Sequence, residues 1–99
     1  MEVRIQSIHF NASAALVNFI QKKVSKLEQF YDEILEVEVI LKVINPETTL
    51  NKDALVKIKA SGAELLASKS SDTFEESVDM AVDALEKQLI KFKEKNRTK

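Results

Sequence analysis

Along this chain the apolar positions change their period several times, and each change marks an element. Val3 and Ile5 alternate with Arg4 and Gln6, which predicts a short strand over Val3–Ile8. Leu16, Val17, Ile20, Val24, Leu27 and Tyr31 then recur at helical spacing, while Asn18, Lys22, Lys26 and Gln29 face the other way. That is one apolar stripe on an amphipathic helix. Asn11 and Ser13 both offer N-caps, and Ser13, directly before Ala14-Ala15-Leu16, is the better placed. The helix is expected to end near Phe30–Asp32. From Glu36 to Ile44 the alternation is strict, with Val37, Val39, Leu41 and Val43 on one face and Glu36, Glu38 and Lys42 on the other. This pattern predicts a half-buried strand. Asn45-Pro46 breaks it and opens a polar loop running to Lys52. Ala54–Ala60 alternates again, with Val56 and Ile58 opposite Lys57 and Lys59. Ser61-Gly62 signals a tight turn, and Ala63–Ser70, carrying Leu65 and Ala67, is a weaker strand. Asp72 with Glu75 resembles a capping pair opening a second helix. Phe74, Val78, Ala81, Leu85, Leu89 and Phe92 repeat at helical spacing along it, and the end is expected to fray through Asn96.

The order β-α-β-β-β-α belongs to the α+β class. Pairing the first strand with the second through the helix makes a right-handed, parallel crossover. The short connections after Ile44 and Ala60 make the remaining strands an antiparallel meander, so the fourth strand runs parallel to the first and second. Both helices then leave the same end of the sheet and return over it side by side. The expected architecture is a four-stranded sheet with two parallel helices on one face. With 99 residues, no internal repeat and no low-complexity stretch, residues 1–99 are expected to form a single domain.

Composition narrows the chemistry. The chain has no cysteine, one histidine, one glycine and one proline. Thiolate nucleophiles, zinc–thiolate sites, disulfides and multi-histidine metal sites are thereby excluded. His9, between Ile8 and Phe10 at a strand end, reads as a structural or edge residue. Gly62 cannot by itself build a glycine-rich phosphate loop. Asp72, Glu75, Glu76, Asp79 and Asp83 fall at helical spacing, but acids are favoured at helix starts and no His or Cys accompanies them, so they read as a solvated face. Phe19, Phe74, Leu85 and Phe92 read as core or near-core packing. No catalytic residue, metal or cofactor is expected, and no small-molecule substrate. No apolar run approaches the ~20 residues that span a bilayer, and Met1-Glu2-Val3-Arg4 does not open a signal peptide. A cytoplasmic domain with no membrane partner is the expectation.

Net charge conceals an uneven arrangement. The formal charge is −1, which by itself argues against a nucleic-acid partner. Yet Asp72–Glu86 holds six acids and no base, whereas Lys87–Lys99 holds six bases, Lys87, Lys91, Lys93, Lys95, Arg97 and Lys99, against the single acid Glu94. Lys22, Lys23 and Lys26 form a second cluster. Screening confines exposed charge to about 8–10 Å, so a partner meets the patch and not the sum. If the helices lie parallel, their C-terminal halves are expected to coincide, bringing Lys22, Lys23 and Lys26 near Lys87, Lys91 and Lys95 in one positive end.

Three stretches carry a resemblance: Lys23-Val24-Ser25-Lys26-Leu27-Glu28-Gln29-Phe30, Val37-Glu38-Val39-Ile40-Leu41-Lys42-Val43, and Gln88-Leu89-Ile90-Lys91-Phe92-Lys93-Glu94-Lys95. With the Asp72-Thr73-Phe74 helix start and Val78-Asp79 after it, they make the chain resemble the ribosome hibernation promoting factors, or ribosome-associated inhibitors, in their short form. The resemblance implies a fold related to double-stranded-RNA-binding domains. It also implies a function: occupying the mRNA and tRNA decoding region of the small ribosomal subunit, in contact with its rRNA, and stopping translation in starved or stationary-phase cells. Lys23, Lys26, Lys87, Lys91, Lys93 and Lys95 fall on basic positions of that family, Lys22 is added from geometry, and Arg97 continues the basic run. Ala84 stands where a relative can carry a lysine. The chain stops at Lys99 without the dimerisation domain of the long form, so a monomer is expected off the ribosome.

Two function classes stay in view. One is an RNA-binding, ribosome-inactivating module acting through phosphate contacts and shape. The other is a protein–protein regulator that pairs through its sheet face or edge strand, its basic end being incidental. Steep salt dependence marks the first, and salt-insensitive apolar burial the second.

Overall fold

The computed structural model describes residues 1–44, 47 and 49–97; the side chains of Asn96 and Arg97 are outside the description. The expected break at Asn45-Pro46 therefore lies outside the described residues. Strand β1 (Glu2–Ile8) is followed by helix α1 (Ala14–Ser25), which tightens into a 3₁₀ turn (Lys26–Gln29). Strands β2 (Ile34–Val43), β3 (Lys52–Ala60) and β4 (Ala63–Ser71) then lead into helix α2 (Phe74–Arg97). The spatial order of the sheet is β1-β2-β3-β4, with β1 parallel to β2 and the other pairs antiparallel. This is the expected β-α-β-β-β-α topology.

Alternation fixes which side of the sheet meets the helices. Val37, Val39 and Leu41 of β2 and Ala54, Val56, Ile58 and Ala60 of β3 are buried on the inner face. Register brings Val3 and Ile5 of β1 beside Val37 and Val39, and Leu65 and Ala67 of β4 beside Ile58 and Val56. Against this layer pack Leu16, Ile20, Val24 and Leu27 from the first helical segment and Phe74, Val78, Ala81, Leu85 and Leu89 from α2. Each such leucine or isoleucine contributes about 1.5–3 kcal/mol relative to exposure. Val43, expected on the buried face, is 37% exposed. It is the last residue of β2, beyond the apolar rows that the helices cover. Leu35 also faces solvent, where the β2–β3 register shifts between Ile34 and Glu36.

The turns obey local chemistry. Ala60 pairs with Ala63, so Ser61-Gly62 is a two-residue hairpin connection, and Gly62 takes φ 82°, a conformation that costs a residue with a Cβ. Ser13 caps α1 by accepting the Leu16 N–H at 3.1 Å. The cap of α2 is Thr73, whose Oγ1 accepts the Glu76 N–H at 3.1 Å, and not the expected Asp72. Asp72 lies one residue too early, and its carboxylate accepts the Leu50 N–H at 3.0 Å instead, tying the β2–β3 loop to the helix start. Helical geometry in α1 stops at Ser25, with the 3₁₀ turn carrying the chain on to the expected end near Phe30.

Both helices begin at one pole of the molecule. There the Phe10 and Phe74 rings stack at 4.9 Å, and His9 adopts φ 64° as the chain leaves β1, which fits the edge role expected of it. Buried Ser77 lies with its Oγ 2.5 Å from the Lys52 carbonyl and 2.8 Å from Ser71 Oγ. This cluster joins the start of β3, the end of β4 and the first turn of α2.

Candidate nucleic-acid interface

Each helix ends in lysines for a local reason: cations are favoured against the exposed carbonyls of a helix C-terminus. Their disposition depends on helix length. At about 1.5 Å per residue, the 24 residues of α2 run twice as far as the 12 of α1. The end of α1 therefore meets α2 along Asp79–Glu86, well short of its C-terminus.

The two lysine clusters consequently do not merge. Lys23 Nζ lies 2.8 Å from Asp79 Oδ1 and 5.6 Å from the centre of the Phe19 ring. Lys23 and Lys26 line one wall of a groove of about 170 Å³ whose other wall is Asp79, Asp83 and Glu86, with Met80 and Val82 between. What faces the α1 lysines is the acidic half of α2, which corrects the single positive end expected from the topology. Lys22 points to the far flank of α1, in a shallow hollow with Asn18, Gln21 and Ser25. Lys87 sits on the opposite flank of α2, in a hollow it shares with Lys69, Met80 and Ala84, and pairs with Asp83 at 3.6 Å.

Beyond Glu86, α2 carries the basic run. Gln88 Nε2 donates to the Leu66 carbonyl at 3.1 Å, which seats this part of the helix on β4. Leu89 is buried beneath, and the Phe92 and Tyr31 rings meet edge to face with their centres 5.3 Å apart. Lys91, Lys93 and Lys95 are exposed around these anchors. Among the described residues Lys91 and Lys93 form no ion pair. Arg97 lies on the last turn of α2, its side chain outside the described residues.

This pole is not uniformly positive. Tyr31 Oη donates to Glu33 Oε2 at 3.0 Å, and Glu33 in turn holds the β3–β4 turn through its carbonyl, 3.1 Å from Ser61 N. Burial, then the hydrogen bond to Glu33 and the charges of Glu33 and Asp32, push the Tyr31 phenol above its ordinary value. The acids that answer the lysines escaped the sequence reading for different reasons. Asp83 and Lys87 stand four apart on one helix, a spacing that signals the pair, whereas Lys23 and Asp79 meet only through the packing of two helices.

The outer sheet face offers little by comparison. Lys57 and Lys59 lie there, as their alternation with buried Val56 and Ile58 predicts. Lys57 is paired with Glu64 at 3.6 Å, and Arg4 with Glu36 at 3.3 Å. Among the described residues no group of three or more His, Cys, Asp or Glu side chains is placed to hold a metal ion, and no helix is long and apolar enough to cross a membrane.

Sequence comparison decides the family. A model described as "Sigma 54 modulation protein / S30EA ribosomal protein" matches residues 3–97. The chain belongs to this family. A relative from Azotobacter vinelandii named ribosome hibernation promoting factor is 33% identical over 95 residues, covering 96% of this chain and 85% of the relative. A protein of the same name from Escherichia coli (strain K12) is 34% identical over 95 residues, covering 96% of each chain. Among solved structures, a ribosomal subunit interface protein from Coxiella burnetii superposes with a TM-score of 0.83 at 29% identity, over 94% of this chain and 98% of that one. The N-terminal domain of Thermus thermophilus Protein Y shares the fold, with a TM-score of 0.81 at 20% identity over 93% of this chain and 99% of that one. The resemblance carried by three short stretches thus extends over nearly the whole chain.

Proposed function

We propose that this protein is a ribosome hibernation factor, which binds the small ribosomal subunit at the mRNA and tRNA decoding region and halts translation in starved or stationary-phase cells by occupying that space. The observation that carries the reading is the match over nearly the full chain to relatives named for ribosome hibernation. The exposed lysines on the last turns of α2 support contact with rRNA. Lys91, Lys93 and Lys95 supply phosphate contacts, with Arg97 continuing the run and Lys22, Lys23, Lys26 and Lys87 flanking it. Residues 1–99 act as one ribosome-binding domain, a monomer off the ribosome, in the cytoplasm where its target is. Inhibition is steric: no bond is made or broken, and no cofactor takes part.

Co-sedimentation with purified small subunits across a salt series tests this directly. With about five phosphates neutralised, the logarithm of the association constant falls against the logarithm of salt concentration with a slope of about −4. A slope near zero would overturn the phosphate reading and favour a protein partner bound through the sheet.

A further inference from the structure

The groove between the helices has the lysines of an RNA-binding surface on one wall and carboxylates on the other. Lys23 Nζ and Asp79 Oδ1 stand 2.8 Å apart, the separation of a charge-assisted hydrogen bond and the one a phosphate oxygen would take. Lys23 is further held over the Phe19 ring. Across the same groove, Asp83 and Glu86 set a second and third carboxylate against Lys23 and Lys26. Asp83 also reaches Lys87 at 3.6 Å on the far side of α2. A phosphate approaching Lys23 must displace Asp79 and then sits within a screening length of about 8–10 Å from two more negative charges.

We propose that Asp79 and Asp83 are specificity-determining residues: they occupy the places of phosphates, neutralise Lys23 and Lys87 from within, and confine the attractive surface to the last turns of α2. The proposal rests on the rRNA-phosphate reading above and adds a selective purpose to it. Unstructured RNA binds a protein through the number of cations it can neutralise, whatever their arrangement. A folded rRNA surface can instead fit the α2 end by shape, and needs fewer of them. Internal carboxylates therefore weaken the indiscriminate attraction more than the shaped one. A chain that must find ribosomes among a large excess of other RNA gains in selectivity what it loses in affinity.

The test compares the wild type with Asp79→Asn, Asp83→Asn and the double variant, on poly(U) by fluorescence anisotropy and on small ribosomal subunits by co-sedimentation. Both aspartates are exposed and asparagine is nearly isosteric, so the fold is kept; a circular-dichroism melt checks it. For the double variant, poly(U) affinity is expected to rise about tenfold at about 0.1 M salt, and the salt slope to steepen by about 1.4, as two more phosphates are engaged at about 0.7 each. The gain on small subunits is smaller. Adding Lys23→Ala to Asp79→Asn returns poly(U) binding to the wild-type level. Unchanged affinity and slope on poly(U), or a gain that survives Lys23→Ala, overturns the proposal. Failure of the wild type to bind small subunits would overturn the ribosome reading instead, while the poly(U) series still judges the role of the two aspartates.

Discussion

Two residues show how single polar groups are fitted into this small core. Ser77 is fully buried, and its hydroxyl reaches Ser71 Oγ and the Lys52 carbonyl. Ser77→Ala removes that hydroxyl and leaves its buried partners short of a hydrogen bond. A loss of about 1–2 kcal/mol is expected, read as a lower urea midpoint with unchanged slope. Tyr31 gives a prediction in pH. Its phenol is raised by burial first and by Glu33 second, so absorbance titration should find a midpoint above the usual value of about 10, and Glu33→Gln should bring it down. A raised folded-state pKa means the folded chain keeps this proton longer than the unfolded one. The contribution of Tyr31 to stability is therefore complete below about pH 10 and is lost as pH rises through the raised value. Caps were legible residue by residue only in part. Ser13, expected over Asn11 because it directly precedes the helical run, does cap α1, whereas the expected Asp72 is taken by a loop amide from Leu50, which leaves Thr73 as the cap of α2.

At the scale of elements, strands and helices announced themselves because each buries one face only. Strict alternation placed Lys57 and Lys59 outside the sheet, and the three-and-four spacing from Phe74 to Phe92 drew the buried side of α2. The relative register of the two helices was not legible. No local pattern says which turn of α2 the end of α1 lies against, and that register sets Lys23 against Asp79 and not against Lys91. The same geometry ranks the lysines. Lys91 lies past the acidic groove on α2, whereas Lys57 is on the opposite layer of the molecule and paired with Glu64. Lys91→Ala should weaken small-subunit binding several-fold and flatten the salt slope by about 0.9, the share of one phosphate. Lys57→Ala should leave both within error. The reverse ranking, measured by co-sedimentation at two salt concentrations, would move the docking face to the sheet.

At the scale of the molecule, charge is graded along the fold. Both helices start at the pole where Phe10 stacks on Phe74, with Glu75 and Glu76 in the first turn of α2, and the basic run lies at the other. A net charge of −1 is therefore compatible with a polyanionic partner, because the last turns of α2 present the basic run while Glu75 and Glu76, more than ten helical residues away, lie beyond a screening length of about 8–10 Å. On the steric reading proposed above, the protein blocks its site by remaining in it. Inhibition should then be stoichiometric: titrated into a translation extract, the protein should reduce synthesis along a line that bends near one molecule per active ribosome. Raising salt or diluting should restore synthesis, since the phosphate contacts weaken together. A chelator added during the titration should not move the bend beyond its effect on the extract alone. Inactivation by far less than one equivalent, persisting after dilution and accompanied by cleaved rRNA, would require turnover. Occupancy cannot supply turnover, so that single result would replace steric exclusion with chemistry as the basis of the arrest.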